Sequence, residues 1–307
     1  MSTSPIGNAV VDSAAVGGPE VSSPELSSPE LGGPELGSPE AGGTDAPGLL
    51  AARIRASVRW ALPSVSIVVV VVAVWQIYVQ LSEIRPQVLP SPSRIVMQGW
   101  AHRDAIAENA AATLKVTVVG FAVSLLVAWI LAVAVDFSPW LRRALVPLFV
   151  VSQTLPIIAI APLLIIWFGF GLLPKILVIA LATFFPMAIG LIEGFAATDR
   201  DARSLLASMG ASRWQQFRYV RLPSAMPRFF TSLRIGITYA VVGAIFAEYA
   251  GASAGLGIYM SQQKNSFRTD LVLAAVAVTA VISVALFALT YAVERLVAPW
   301  ALERGPR

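Results

Sequence analysis

The chain has 307 residues, 56% of them hydrophobic and 13% charged, with a mean hydropathy of +0.73 and one histidine. An ordinary soluble domain does not carry so apolar a composition, which reads instead as an integral membrane protein. With no cysteine, disulfide frameworks, thiolate metal sites and cysteine nucleophiles are excluded together. The net charge of +4 hides an asymmetry, because residues 1–48 hold seven acids (Asp12, Glu20, Glu25, Glu30, Glu35, Glu40, Asp45) and no base, leaving 11 acids against 22 bases elsewhere. On a membrane protein such a surplus marks cytoplasmic loops, and no nucleic-acid partner is expected.

Residues 17–41 read GGPEV, SSPEL, SSPEL, GGPEL, GSPEA, a five-residue unit in which proline and glutamate keep their places. Proline at every fifth position forbids helix, and one aliphatic residue per unit does not offset the entropy of ordering the chain. Residues 1–48 are therefore expected to be a disordered acidic tail. Without a basic n-region or an apolar h-region, the first residues do not read as a cleaved signal peptide.

At 1.5 Å per residue, about 20 apolar residues cross the hydrocarbon layer. Five runs of that kind lie at Leu62–Leu81, Val116–Val135, Ala144–Phe168, Ile176–Ile192 and Leu271–Val293. A sixth, Phe229–Ala250, has 13 uncharged residues between Arg234 and Glu248, too few for a helix that faces lipid all round. Gly236, Ala240 and Ala244 recur every four positions there, which lets neighbours approach closely and places this fifth span at the centre of the bundle. The expected fold is all-α, with a six-span domain over 60–297 and a C-terminal tail over 298–307.

Lysine and arginine set the orientation. Arg53, Arg55 and Arg59, then Arg142 and Arg143, then six arginines between spans four and five, then Arg295, Arg304 and Arg307 put fourteen bases on one side. Six fall on the other: Arg85, Arg94, Arg103, Lys175, Lys264 and Arg268. Lys115 and Arg234 are span-end residues able to snorkel. Both termini are expected to be cytoplasmic.

The connection between spans four and five, residues 193–228, is too polar to insert and too patterned for a linker. Thr198 or Asp199 is placed to cap a short helix whose apolar face is Leu205, Leu206 and Met209, and Gly210 ends it. Ser212 is placed to cap a second helix, Arg213–Arg221, which Pro223 and Pro227 are expected to close. Periodicity alone allows either a helix–turn–helix in the cytoplasm or an amphipathic element lying on anionic lipid.

The run from Gly210, through nine residues, to Val220-Arg221-Leu222-Pro223 resembles the cytoplasmic EAA loop of binding-protein-dependent ABC importer permeases. That pattern is Glu-Ala-Ala, three residues, Gly, nine residues, Ile, one residue, Leu-Pro. Here valine replaces isoleucine, and Ser204-Leu205-Leu206 stands where the family has Glu-Ala-Ala, with Asp201 the nearest acid one turn earlier. Further segments are similar to the branch that handles nitrate, sulfonates such as taurine, and pyrimidine precursors of thiamine. They are Leu89-Pro90-Ser91-Pro92-Ser93, Ala161-Pro162-Leu163, Trp167 to Gly171, Phe184-Phe185-Pro186 and Gly251 to Gly257.

The resemblance implies an inner-membrane permease subunit, a bacterial multi-pass protein. Its loop would seat as a coupling helix in a dimer of cytoplasmic ATPases, with a second copy of the permease and an extracytoplasmic substrate-binding protein completing the complex. Ala207, Ser208, Met209, Gly210 and Ala211 are the expected seated part, Arg203 and Arg213 the rim charges, with Leu222 and Pro223 closing the motif. Lys115, Lys175 and Lys264 all lack the preceding glycine of a phosphate-binding loop, so ATP and its Mg²⁺ are expected on the partner and no cofactor on this chain. Intramembrane polar groups nominate a substrate pathway: Gln153, Thr154, Thr183, Thr238, Tyr239 and Glu248. Each has a plainer reading as a hydrogen-bonding residue between helices, and for Glu248 as a water-exposed end charge. Tyr259, Lys264 and Arg268 are candidates for the outer docking face. Two alternatives stand beside the importer. A membrane-embedded enzyme would have to recruit Asp199 and Asp201, an acid pair that reads better as a helix cap. A secondary transporter would usually show inverted repeats within one chain.

Overall fold

A computed structural model describes residues 46–302; the expected tail over 1–48 and the last residues of the C-terminal tail lie almost wholly outside that range. The chain divides into two units, Met1–Arg59 and Trp60–Arg307. The described part of the first is helical, and the second holds everything discussed below. Twelve helices follow in order among the described residues, and no strand: α1 Ala46–Leu81, α2 Pro92–Ala101, α3 Arg103–Phe137, α4 Pro139–Gln153, α5 Ile157–Phe168, α6 Leu172–Ala196, α7 Arg200–Ser208, α8 Arg213–Gln216, α9 Leu222–Gly251, α10 Leu256–Asn265, α11 Thr269–Val297 and α12 Pro299–Leu302. A π turn at Phe217–Arg221 joins α8 to α9.

Four stretches are long and apolar enough to cross a membrane: α3, α6, the 39-residue run Arg213–Gly251 and α11. The third expected span, Ala144–Phe168, is not one helix. It is broken between α4 and α5, which meet at 101°; counted as one bent crossing, the pair makes a fifth. The break sits at Pro156, which has no N–H to continue the ladder and drives Leu155 out of helical conformation. Its carbonyl instead starts the next helix, accepting from Ala159 and Ile160. Within α1, the apolar helix Val65–Leu81 is shorter than these.

The core forms where α9 lies along α6, with α3 against both. Half of the apolar window of the α9 run is buried, against 39% in α6, 33% in α3 and 17% in α11, as its short uncharged stretch requires. Small residues make the approach possible. Gly190 faces the side chain of Ser232, Gly194 faces Ala225, Gly236 faces Met187, and Gly243 faces Ala182 and Ile179. Since lipid tails are as apolar as leucine, such contacts gain by dispersion rather than by leaving water.

Candidate functional site

The segment after α6 folds as an elbow whose every bend has a local cause. Asp199 caps α7, its carboxylate accepting from the Asp201 N–H at 2.9 Å, while Thr198 is buried and donates to the Phe195 carbonyl. At the other end Gly210 takes φ +80°. The Gly210 N–H then reaches the Ala207 carbonyl and the Ala211 N–H the Leu206 carbonyl, both at 3.0 Å, a Schellman closure. Space around Gly210 is open, so backbone conformation and not crowding asks for glycine. Ser212 opens α8 with a capping box, accepting from the Gln215 N–H while its own N–H donates to Gln215 Oε1 at 2.7 Å.

The expected end of the second helix at Pro223 and Pro227 is corrected. Pro223 lies in the first turn of α9 and Pro227 within it, and the helix runs on unbroken into the membrane-crossing stretch. The π turn explains this, since the Leu222 N–H bonds back to the Phe217 carbonyl and the widened turn falls where the missing N–H of Pro223 would break a regular ladder. The second helix of the elbow and its span are therefore one rod, Arg213–Gly251, about 58 Å long at 1.5 Å per residue.

At the tip, Leu205, Met209 and Trp214 are 64%, 74% and 58% exposed. Ala207, Ser208 and Gly210 are exposed beside them and Ala211 is half-buried. Trp214 also roots the tip: it stacks on Phe217 at 5.5 Å, Phe217 meets Phe195 at 5.3 Å, and Phe195 meets Trp129 of α3. Arg213 is exposed and Arg203 half-buried. Leu222 and Pro223 do not join the tip. Leu222 packs on the core, and the Pro223 carbonyl accepts from the Trp300 indole. One contact carried no sequence signal: Arg221 forms an ion pair with Asp136 at the end of α3, tying the rod to its neighbour.

The pathway candidates separate. Gln153 and Tyr239 line one cavity of about 380 Å³, with Ser152, Phe185 and Pro186. Thr154 and Thr238 are exposed and spend their hydroxyls on their own helices, on the Val151 and Arg234 carbonyls. Thr183 is fully buried, its one hydroxyl proton placed between Ser124 Oγ of α3, 2.7 Å away, and the Ile179 carbonyl.

Glu248 is neither a water-exposed end charge nor a cavity group; it is 0% exposed. Its Oε2 accepts from Thr113 Oγ1 at 3.0 Å and the Gly257 N–H at 2.8 Å. Thr113 Oγ1 also accepts from the Leu256 N–H, and Asn109 accepts from the Gly255 N–H. A side chain at Gly255 would collide with the Glu248 carboxylate, and one at Gly257 with the Ile245 carbonyl and Glu248 Cβ. The Gly255-Leu256-Gly257 turn is thus clasped by α3 and α9. Of the three docking candidates nearby, Lys264 is exposed, whereas Tyr259 is buried, its phenol pKa pushed up by that burial. Arg268 is engaged by Asp270 at 3.1 Å and Gln98 at 2.9 Å. Arg234 does more than snorkel: it pairs with Glu294 of α11 at 3.0 Å and lies 5.8 Å over the Tyr291 ring.

Comparison with known proteins places this arrangement. Residues 124–301 match the family described as binding-protein-dependent transport system inner membrane component. The formylaminopyrimidine transport permease protein ThiX of Halalkalibacterium halodurans is 33% identical over 228 residues, covering 74% of this chain and 91% of that one. The riboflavin transport system permease protein RibX of Chloroflexus aurantiacus is 34% identical, covering 82% and 96%. The taurine transport system permease protein TauC of Escherichia coli is 32% identical, covering 79% and 92%. An amino acid ABC transporter crystal structure aligns over 66% of this chain and 98% of its own, with a TM-score of 0.55 at 17% identity, a likeness of fold. The chain belongs to the inner-membrane permease components of binding-protein-dependent ABC importers.

Proposed function

We propose that this permease forms the pathway for a small solute of the nitrate, sulfonate or thiamine-pyrimidine-precursor type. In this reading it works as a homodimer, six spans per copy with both termini cytoplasmic, driven by a separate pair of ATPases and fed by an extracytoplasmic binding protein. The substrate types follow the relatives named for formylaminopyrimidine, taurine and nitrate transport.

The observation that carries the coupling role is the elbow. A helix of nine residues, a glycine closure and a capped second helix hold an exposed apolar tip on the end of a rod that continues through the membrane. An apolar knob that a monomer leaves in water is unfavourable unless something covers it, and a rigid rod turns displacement of that knob into movement of α9. The pathway is assigned to the cavity lined by Gln153 and Tyr239, while Thr183 and Glu248 hold helices together. Purifying the permease with its bound soluble ATPase, reconstituting both and disabling the ATPase is the direct test. Uptake that stops with the ATPase supports the reading, and uptake that persists refutes it.

A further inference from the structure

The elbow also carries an excess of positive charge that the acids among the described residues do not balance. Two hollows lie along its inner side, of about 280 Å³ and 260 Å³. Both are lined by Arg203 and Gln216, so they adjoin as an arginine-lined furrow divided by those two side chains. Arg200, Ser204 and Ala207 complete the lining of the first hollow, and Arg213, Arg221 and Asp136 are among those lining the second. Four arginines therefore face a single lining acid. Asp136 has a side chain only 6% exposed and is committed to Arg221. Arg200, Arg203 and Arg213 make no ion pair within 4.0 Å among the described residues. The acids of the adjoining turn do not fill the gap, since Asp199 is spent as the cap of α7 and Asp201 is exposed without an ion pair.

Arginines so placed repel one another, and a guanidinium fork is shaped for a planar carboxylate. Ser204 lines the furrow beside Arg200 and Arg203, exposed, and its neutral hydroxyl brings no negative charge. Leu205 and Trp214 of the apolar tip are chain neighbours of Ser204 and Arg213, which line the furrow, and apolar area with charged groups around it is the anatomy of a protein–protein contact. Resting on the coupling role proposed above, we infer that the furrow between α7 and α8 receives a carboxylate side chain of the ATPase, gripped by Arg203 and Arg213. The knob supplies area, and the ion pair sets register and steers the encounter.

The test is capture of the cognate ATPase by the full-length permease in nanodiscs, with Kd measured at low and high salt. Arg203→Gln with Arg213→Gln weakens binding about tenfold at low salt and flattens the salt dependence, whereas Arg203→Lys with Arg213→Lys keeps the salt dependence but loses part of the affinity, because lysine keeps the charge without the fork. Ser204→Glu places a carboxylate in the furrow from this chain's own side and also weakens capture. Met209→Asp separates the two claims. If it abolishes capture while the glutamine pair leaves Kd and salt slope unchanged, the inference is wrong and the coupling role survives. If neither variant matters, both fall. Millimolar inorganic phosphate that raises the melting temperature of the permease alone, in an Arg203-dependent way, would make the furrow a free-anion site and overturn the inference.

Discussion

The two ends of α9 treat polar groups in opposite ways. At the Gly251 end a carboxylate is fully enclosed: Thr113, Asn109 and Glu248 Oε2 together hold three successive backbone N–H groups, while Glu248 Oε1 has no hydrogen-bond partner among the described residues. At the elbow end arginines stand half-exposed or exposed, and most lack an acid. The first arrangement is closed off from its surroundings and ties the turn after α9 to α3. The second leaves charge and apolar area unspent, which is what recognition of another molecule requires. A single helix connects them, so what is gripped at one end is anchored at the other.

Variants that break this contrast rank by expected effect. Gly210→Trp forces a bulky residue into a left-handed backbone position at the tip; uptake in reconstituted vesicles is expected to be lost, while ATP hydrolysis continues and the protein still inserts. Arg234→Ala comes next, since it leaves the buried Glu294 carboxylate without its cation, at a cost of about 3–5 kcal/mol in detergent unfolding. Replacing both partners with apolar residues should recover most of that loss. Glu248→Ala strips the acceptor from Thr113 and Gly257 and is expected to cost about 3 kcal/mol, while Glu248→Gln, which keeps one oxygen in place, costs less. The smallest effect is at Thr183→Val, where one interhelical hydrogen bond to Ser124 is lost for about 1 kcal/mol; a larger change in uptake than in stability would move Thr183 back into the pathway.

The elbow was legible in the sequence because its determinants are local. Asp199, Gly210 and Ser212 act on backbone groups two to four residues away, and the structure gives each the bond its position suggests. The central place of α9 was legible too, from a short uncharged stretch and a four-residue repeat of small side chains. Proline misled in both directions. Pro223 and Pro227 sit inside a continuous helix, with a π turn absorbing the fault, whereas Pro156 breaks the third span even though Pro147, Pro162 and Pro186 stay within theirs. Proline removes a donor everywhere; whether the helix ends depends on how neighbouring turns reroute their bonds. The clasp and the Asp136–Arg221 pair had no local mark, because Thr113 and Glu248 are 135 positions apart, and only packing of α3 on α9 brings such residues together.

The absence of cysteine makes the decisive measurement clean, because Met209→Cys introduces the only thiol. With the complex in vesicles, a short bifunctional reagent should join position 209 to the ATPase, and the yield should change when ATP binds. A thiol that reacts with a membrane-impermeant reagent from outside intact cells, or one that never links to the ATPase in an active complex, would contradict the account.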